Sequence, residues 1–489
     1  VNTAPSEPQP LTLVEALIPV VSLIVLIALS YYLFGDAGAA GPTQVALVVA
    51  TMIAVLIAWW RGHSLAALHA AAIESVSSGI GAIFILFSVG ALIGTWALSG
   101  TLIAMVYYGM QLLSPAYFYV TTALICAVVS FCIGSSWTVV GTIGIGLMGI
   151  ALNIDMDPAI TAGAVISGAY FGDTTSPLSD SANLAAGVAG VDLYQHVRET
   201  ALTSAAALAV ALAVFWLLGR PADFDTSGKV AAIQSAFDMS LLLFLPLVVV
   251  VVLALLKHPP FTTIFIGALV AGVLAVVTAP ERVVAFARLA GRDDLPTWLA
   301  YIKGVWLALA SGYVSGTGDP AIDQLLTRGG MASMLNTVWL IVTALAFGGV
   351  VEKAGVLDKL ITPIIDMVRS AGALIASMVA AVFATNIVTA DQYIAIVLPG
   401  RMFKTAFARR GFAPVVLSRA VGGAATPTSA LVPWNSCGAY MAATLGVATL
   451  SYAPFAIFSL VSPLLVVAAA FAGVRMPRDS GAPPLQLSQ

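Results

Sequence analysis

Long apolar runs separated by short polar stretches fill this chain. Leu11 to Phe34 and Thr43 to Trp60 are each long enough to cross a hydrocarbon core of about 30 Å as a helix. Ser64 to Ser78, flanked by His63 and containing His69 and Glu74, is mixed and reads as an interfacial segment before a third span, Gly79 to Leu98. Gly90 and Gly94 in that span have the GxxxG spacing that lets a neighbour approach closely. Tyr117 to Ile150 carries no charge. As one straight helix it would reach roughly 50 Å, too long for a single crossing, so Gly134, Ser135, Ser136, Trp137 and Thr138 predict the tip of a re-entrant hairpin. Pro158 to Gly190 reads as a broken span and Ala201 to Leu218 as an ordinary one.

The same order returns after a polar stretch, in Leu241 to Leu256, Phe261 to Thr278, Ala332 to Val351, Gly372 to Pro399, Ala413 to Leu445 and Ala453 to Gly473. Ala127 to Trp137 can be laid on Val379 to Thr389, pairing Gly134 with Asn386, and Val165 to Gly172 on Val416 to Gly423. The expected fold is an all-α polytopic membrane protein of two repeats, each about five transmembrane helices plus a re-entrant hairpin and a broken helix. An odd number of crossings per half makes the repeats inverted, whereas counting each hairpin as a crossing gives twelve spans and parallel repeats, and the Lys and Arg bias fits either count. The expected divisions are a disordered tail (1–10), a first repeat (11–219), a linker (220–239), a second repeat (240–474) containing a long extramembrane insertion (280–330), and a tail (475–489). The excess of Lys and Arg on the terminal side makes both termini cytoplasmic and the location a cytoplasmic (inner) membrane.

Composition sharpens this picture. The chain is 60% hydrophobic and 9% charged, with a mean hydropathy of +1.01, against about 25% charged residues in soluble proteins. A net charge of -3 and the absence of a basic run argue against nucleic acid as a partner. Lipid and a small ion are the expected partners, with a homodimer as a candidate assembly. Cys126, Cys132 and Cys437 lie in apolar segments without a CxxC and read as small buried hydrophobes. No HExxH, Walker A or GxSxG spacing occurs, so neither an intramembrane protease nor an ATP-driven pump has its minimal parts, and no cofactor is implied.

Candidate chemistry concentrates in SGAYFGDTTSPLSDSAN, Ser167 to Asn183. An aspartate at the bilayer centre is unfavourable by on the order of 3 kcal/mol and defaults to a functional assignment. Asp173, Ser176, Asp180 and Asn183 share a helical face if the helix is continuous, with Thr174 beside them. Ser135, Ser136 and Thr138 add hydroxyls at the first predicted tip, and Asn386 and Asp391 flank its counterpart. Carboxylate, hydroxyl and carbonyl oxygens suit a hard cation such as sodium, with Asp173 and Asp180 as its charged ligands. Arg419 is a rival partner that would neutralise one of them.

GALIGTWALSGT (Gly90 to Thr101), GSSWTVVGTIGIGLMGI (Gly134 to Ile150), SGAYFGDTTSPLSDSANLA (Ser167 to Ala185), DQYIAIVLPGRMF (Asp391 to Phe403) and LVPWNSCGAYMA (Leu431 to Ala442) resemble the NhaC family of sodium/proton antiporters. The resemblance covers roughly Leu11 to Gly473. It implies secondary active transport and inverted repeats, in a family that also contains malate/lactate exchangers. Asp173, Ser176, Pro177, Asp180 and Asn183 match the family's acidic stretch, Thr174 stands where a lysine is usual, and the acidic pair usual after Arg419 is missing. The expected function is exchange of sodium for protons, with an intramembrane aspartate competing for the two ions and Thr428, Ser429 and Asn435 supplying neutral oxygens or shape. The alternatives are coupled exchange of an organic anion such as malate or lactate and, less favoured, a passive channel.

Overall fold

The computed structural model describes residues 8–34, 41–219, 234, 239–289, 291, 295–316, 323, 326–368 and 370–478. Most of the predicted linker, both predicted tails in large part and the end of the GYVSGTGDP turn lie outside these residues. The regular secondary structure of the described residues is helical, apart from two isolated bridges between Tyr313 and Arg328 and between Phe412 and Arg478. Nine described helices are long and apolar enough to cross a membrane, and a tenth candidate pairs Thr449–Phe455 with Ile457–Phe471 across a 55° bend. The protein is a multi-pass, all-α membrane protein.

The first half comprises α1 (Leu13–Phe34), α2 (Pro42–Trp60), α3 (Leu65–Ser78), α4 (Ile80–Ser99), α5 (Thr101–Leu112), α6 (Phe118–Ile133), α7 (Ser136–Asn153), α8 (Pro158–Thr175), α9 (Asp180–Ala189) and α10 (Leu193–Leu218). The second comprises α11 (Leu245–Leu255), α12 (Pro260–Thr278), α13 (Pro280–Leu289), α14 (Thr297–Ser311), α15 (Leu335–Lys353), α16 (Val356–Met367), α17 (Ala371–Thr389), α18 (Gln392–Arg409), α19 (Pro414–Ser429), α20 (Ser436–Leu445) and α21 (Ile457–Phe471).

Small residues set the close contacts. A Cβ on Gly94 would lie 2.1 Å from the carbonyl oxygen of Ala308 in α14, and the Gly90 carbonyl accepts from Gly330 N at 2.6 Å. The GxxxG pair therefore receives the 280–330 segment, two of whose stretches are helices and one of which, α14, packs on α4. α6 runs along α8, while α7 leaves α6 at the Gly134 break to pack on α5 and α8. The predicted tip at GSSWT is a break between two apolar helical stretches, Pro115–Ile133 and Ser136–Asn153, each long enough by composition to be a candidate span. The α5 helix, on a stretch that the apolar pattern left unassigned, follows a left-handed turn at Gly100. α16 follows the same kind of turn at Gly355.

The two halves match at a constant spacing. α7 and α18 begin and end 256 residues apart (136 to 392, 153 to 409), and so do α9 and α20 (180 to 436, 189 to 445). Pro158 and Pro414 open equivalent helices, and left-handed Gly190 and Gly446 close equivalent ones. This register pairs Gly134 with Ala390 and Ser130 with Asn386. Pairing Gly134 with Asn386, as residue identity suggests, is four residues out, one helical turn.

Candidate functional site

Asp157 caps α8 by accepting from Ala159 N and Ile160 N, with Pro158 in the first turn where a missing N–H breaks no helical bond. The helix ends at Thr175 because Ser176 precedes Pro177 and takes extended backbone (ψ 133°). Ser179 then caps α9, accepting from Ala182 N. Its hydroxyl donates back to Asp173 Oδ1 at 2.6 Å. Ser181 Oγ donates to the same oxygen at 3.1 Å.

The other carboxylate oxygen meets the first break. Gly134 adopts φ 80°, a left-handed turn that favours glycine, and Ser135 caps α7 by accepting from Thr138 N. Ser136 Oγ donates to Asp173 Oδ2 at 2.6 Å and its backbone N at 3.4 Å. Asp173, 7% exposed, is thus held by four neutral donors at the positive end of a helix, each charge-assisted bond contributing about 1.5–3 kcal/mol. Arg419 is not its partner: that buried guanidinium directs Nη2 to Met476 Sδ at 3.7 Å.

The second half repeats the framework with other chemistry. Ser130 Oγ donates to Ala169 O in the first half and Asn386 Nδ2 to Ala425 O in the second, both across 39 residues. Ser136 Oγ donates to Asp173, and Ser429 Oγ donates to Gln392 Oε1 at 2.9 Å, both across 37 residues. Ala390 is left-handed at φ 57°, Asp391 caps α18 by accepting from Ile394 N at 2.9 Å, and Asn435 caps α20. Asp173 is therefore matched by Ser429, Ser136 by Gln392 and Ser181 by Cys437, which donates its thiol to Gln392 Oε1 at 3.1 Å.

A cavity of about 260 Å³ lies between the two breaks. Ser135, Trp137, Asp173, Asp180, Asp391 and Tyr393 line it, together with Gln392 and Cys437, and among the described residues no Lys, Arg or His does. The remaining candidates sit elsewhere. Thr138 donates to Ser135, Thr174 donates back to Tyr170 O, and Ser176 Oγ accepts from Leu178 N. Asn386, Thr428 and Asn435 form a buried amide and hydroxyl network behind Gln392 and Ser429. Asn183 is exposed and lines a different groove with Arg401 and Lys404, because the break at Ser176 destroys the continuous helical face that would have joined it to Asp173. Among the described residues, no three His, Cys, Asp or Glu side chains gather as they do around a tightly bound metal. Ser179, Ser181, Gln392 and Trp137 were not among the predicted ligands. The Ser-Pro-Leu-Ser stretch carried a cap signal for Ser179, but its approach to Asp173 depends on the chain folding back. Cys126 and Cys437 are buried and Cys132 is exposed.

A model of the Na+/H+ antiporter family matches residues 168–474. The chain is 36% identical over 440 residues to the Na(+)/H(+) antiporter NhaC of Alkalihalophilus pseudofirmus, covering 89% of this chain and 91% of that protein. It is 34% identical over 470 residues to the malate-2H(+)/Na(+)-lactate antiporter of Bacillus subtilis, covering 94% and 95%. It is 33% identical over 476 residues to the arginine/ornithine antiporter ArcD of Halobacterium salinarum, covering 94% and 92%.

Proposed function

The chain belongs to the Na+/H+ antiporter family, and we propose that it exchanges sodium for protons through the carboxylate of Asp173. The observation that carries this reading is the cradle of four neutral donors around a buried Asp173 at a cavity without a basic residue. When the carboxylate is bare, Ser136, Ser179 and Ser181 point their hydrogens at it. When sodium enters, the same hydroxyls turn their lone pairs to the ion, giving hard oxygen ligands around one negative charge. When a proton enters instead, the carboxyl is neutral and no longer attracts sodium. One group serves either cargo but not both, so exchange follows from mutual exclusion.

The exchange of organic anions is less well supported. A helix N-terminus is a ready anion seat, yet the α7 terminus already faces Asp173 through Ser136 N, and the α18 terminus faces Asp391 through Ile394 N. The protein's own carboxylates fill the places a substrate carboxylate would take. We place both termini on the cytoplasmic face of the cytoplasmic membrane and the two halves in inverted orientation, from the Lys and Arg excess and the matched element order.

Sodium-driven proton movement in everted vesicles tests the assignment. Asp173→Asn is expected to abolish it, and Asp180→Asn, at the exposed rim, to weaken it. Full activity in Asp173→Asn would sink the proposal.

A further inference from the structure

His196 is fully buried in the first turn of α10, and its two ring nitrogens have different surroundings. Nδ1 is hydrogen-bonded to the Ser418 hydroxyl in α19. Nε2 has no hydrogen-bond partner. Thr200 and Ser204 follow at one-turn intervals on the same face of α10, and their hydroxyls are also buried and without partners. A buried polar atom in that state is unfavourable by about 1–3 kcal/mol, and internal water is the usual remedy. Three such atoms on one helix face are places for water.

The same face borders the ion seat through small residues. A Cβ on Gly422 would lie 2.8 Å from His196 Cε1, 3.2 Å from Nε2 and 3.6 Å from Ala185 Cβ, so the ring edge bearing Nε2 meets α9 over a glycine. Ala185 is one turn, about 6 Å, along α9 from Ser181. The Ser181 hydroxyl donates to Asp173 Oδ1 at 3.1 Å. Among the described residues no ion pair engages the His196 ring. The ionisable groups on the helices packed against α10 are Arg419 on α19, Tyr170 and Asp173 on α8, Asp180 on α9, and Tyr119, Cys126 and Cys132 on α6, with none on α21. Tyr194, Arg198 and Glu199 share its own helix, and Glu199 is paired with Arg475 at 3.2 Å.

We propose that His196 is the proton relay between Asp173 and the cytoplasm, with water spanning the turn that separates Nε2 from Ser181. The inference deepens the sodium–proton exchange reading and rests on it. A proton leaving Asp173 passes by way of Ser181 and the water to Nε2. The ring releases one from Nδ1 to the Ser418 hydroxyl, which passes its own to water at the cytoplasmic end of α19. One proton moves, and the ring ends in its other neutral tautomer. Imidazole suits this task because either nitrogen can hold a proton near neutral pH. Sodium gains little on the same route, where a ring nitrogen stands in place of the oxygens a hard cation prefers.

The test uses the full-length protein in proteoliposomes and compares two modes. The first is ²²Na+ uptake driven by a pH gradient, which needs the proton leg; the second is exchange of ²²Na+ for unlabelled sodium without a gradient, which does not. His196→Gln keeps a hydrogen-bonding group toward Ser418 but cannot shuttle a proton. It is expected to cut the maximal rate of the first mode roughly 10-fold or more, while the second mode and the sodium KM stay within about 2-fold. That selective loss supports the relay, and a first mode left unchanged overturns it while sodium–proton exchange stands. Where His196→Gln loses both modes, as a misfolded variant would, Gly422→Ala decides, because it leaves His196 in place and sets a methyl against the ring edge that bears Nε2. A selective loss of the first mode in Gly422→Ala supports the relay, and any other result overturns it. Absence of pH-driven uptake in the wild type overturns the exchange reading and the relay with it.

Discussion

The two breaks share one backbone plan and differ in where the charge sits. In the first, the charge is on the helix before the break in α8 and α9: Asp173 collects hydrogens from Ser136, Ser179 and Ser181. In the second, the matching position is Ser429, which gives its hydrogen to Gln392, and the carboxylate has moved to the cap at Asp391. The same scaffold thus holds a concentrated acceptor in one half and a neutral amide, hydroxyl and thiol cluster in the other. A duplicated framework can keep its hydrogen-bond geometry while the position of its carboxylate differs between the copies.

The largest effect expected from breaking this asymmetry is in the exchange Asp173→Ser with Ser429→Asp. It moves the carboxylate to the second half without changing the total charge. Sodium–proton exchange should fall to the level of empty vesicles, because a carboxylate at 429 meets the acceptor oxygen of Gln392 instead of three hydroxyls; restored exchange would show that position is immaterial. Next comes the turn. Gly134→Ala forces a side chain into a left-handed residue, at about 1–2 kcal/mol, and sets a Cβ 2.5 Å from the Leu178 backbone. Its thermal midpoint should drop by several degrees, whereas Ala390→Gly, at the equivalent turn, should hold or raise it. A smaller effect is expected for Gln392→Ala, which strips the acceptor from Ser429 and Cys437 without touching a charge. With about 1 kcal/mol of this disruption carried into sodium binding, the sodium KM should rise roughly 5-fold. Smallest are Thr174→Val and Asn183→Ala, whose polar atoms bond within their own segments away from the cavity; both should keep the sodium KM within about 2-fold.

The apolar spans, the Gly90–Gly94 contact and the breaks near Gly134 and Pro177 were legible in the sequence, because each is a local signal of length, glycine spacing or proline. The donor set was not. Ser179 and Ser181 approach Asp173 only because Pro177 turns the chain back, so helical offsets placed Ser176 and Asn183 beside it instead. The register between halves was also hidden. Equivalent positions carry Gly134 and Ala390, Asp173 and Ser429, Ser136 and Gln392, so matching by identity slid one turn, while the backbone turns and caps preserve the correspondence. Gln392 was not among the predicted ligands, and its place becomes visible only when Ser429 and Cys437 are seen to converge on it.

The most direct test of the central claim is the pH dependence of the sodium KM in proteoliposomes, wild type against Asp173→Glu. If sodium and a proton compete for the Asp173 carboxylate, the wild-type KM should rise as pH falls, approaching about ten-fold for each pH unit where protons win, with the maximal rate conserved at saturating sodium. The carboxylate-preserving Asp173→Glu should retain that slope with a displaced midpoint. A sodium KM that stays constant across the pH range, with exchange still running, would contradict the account.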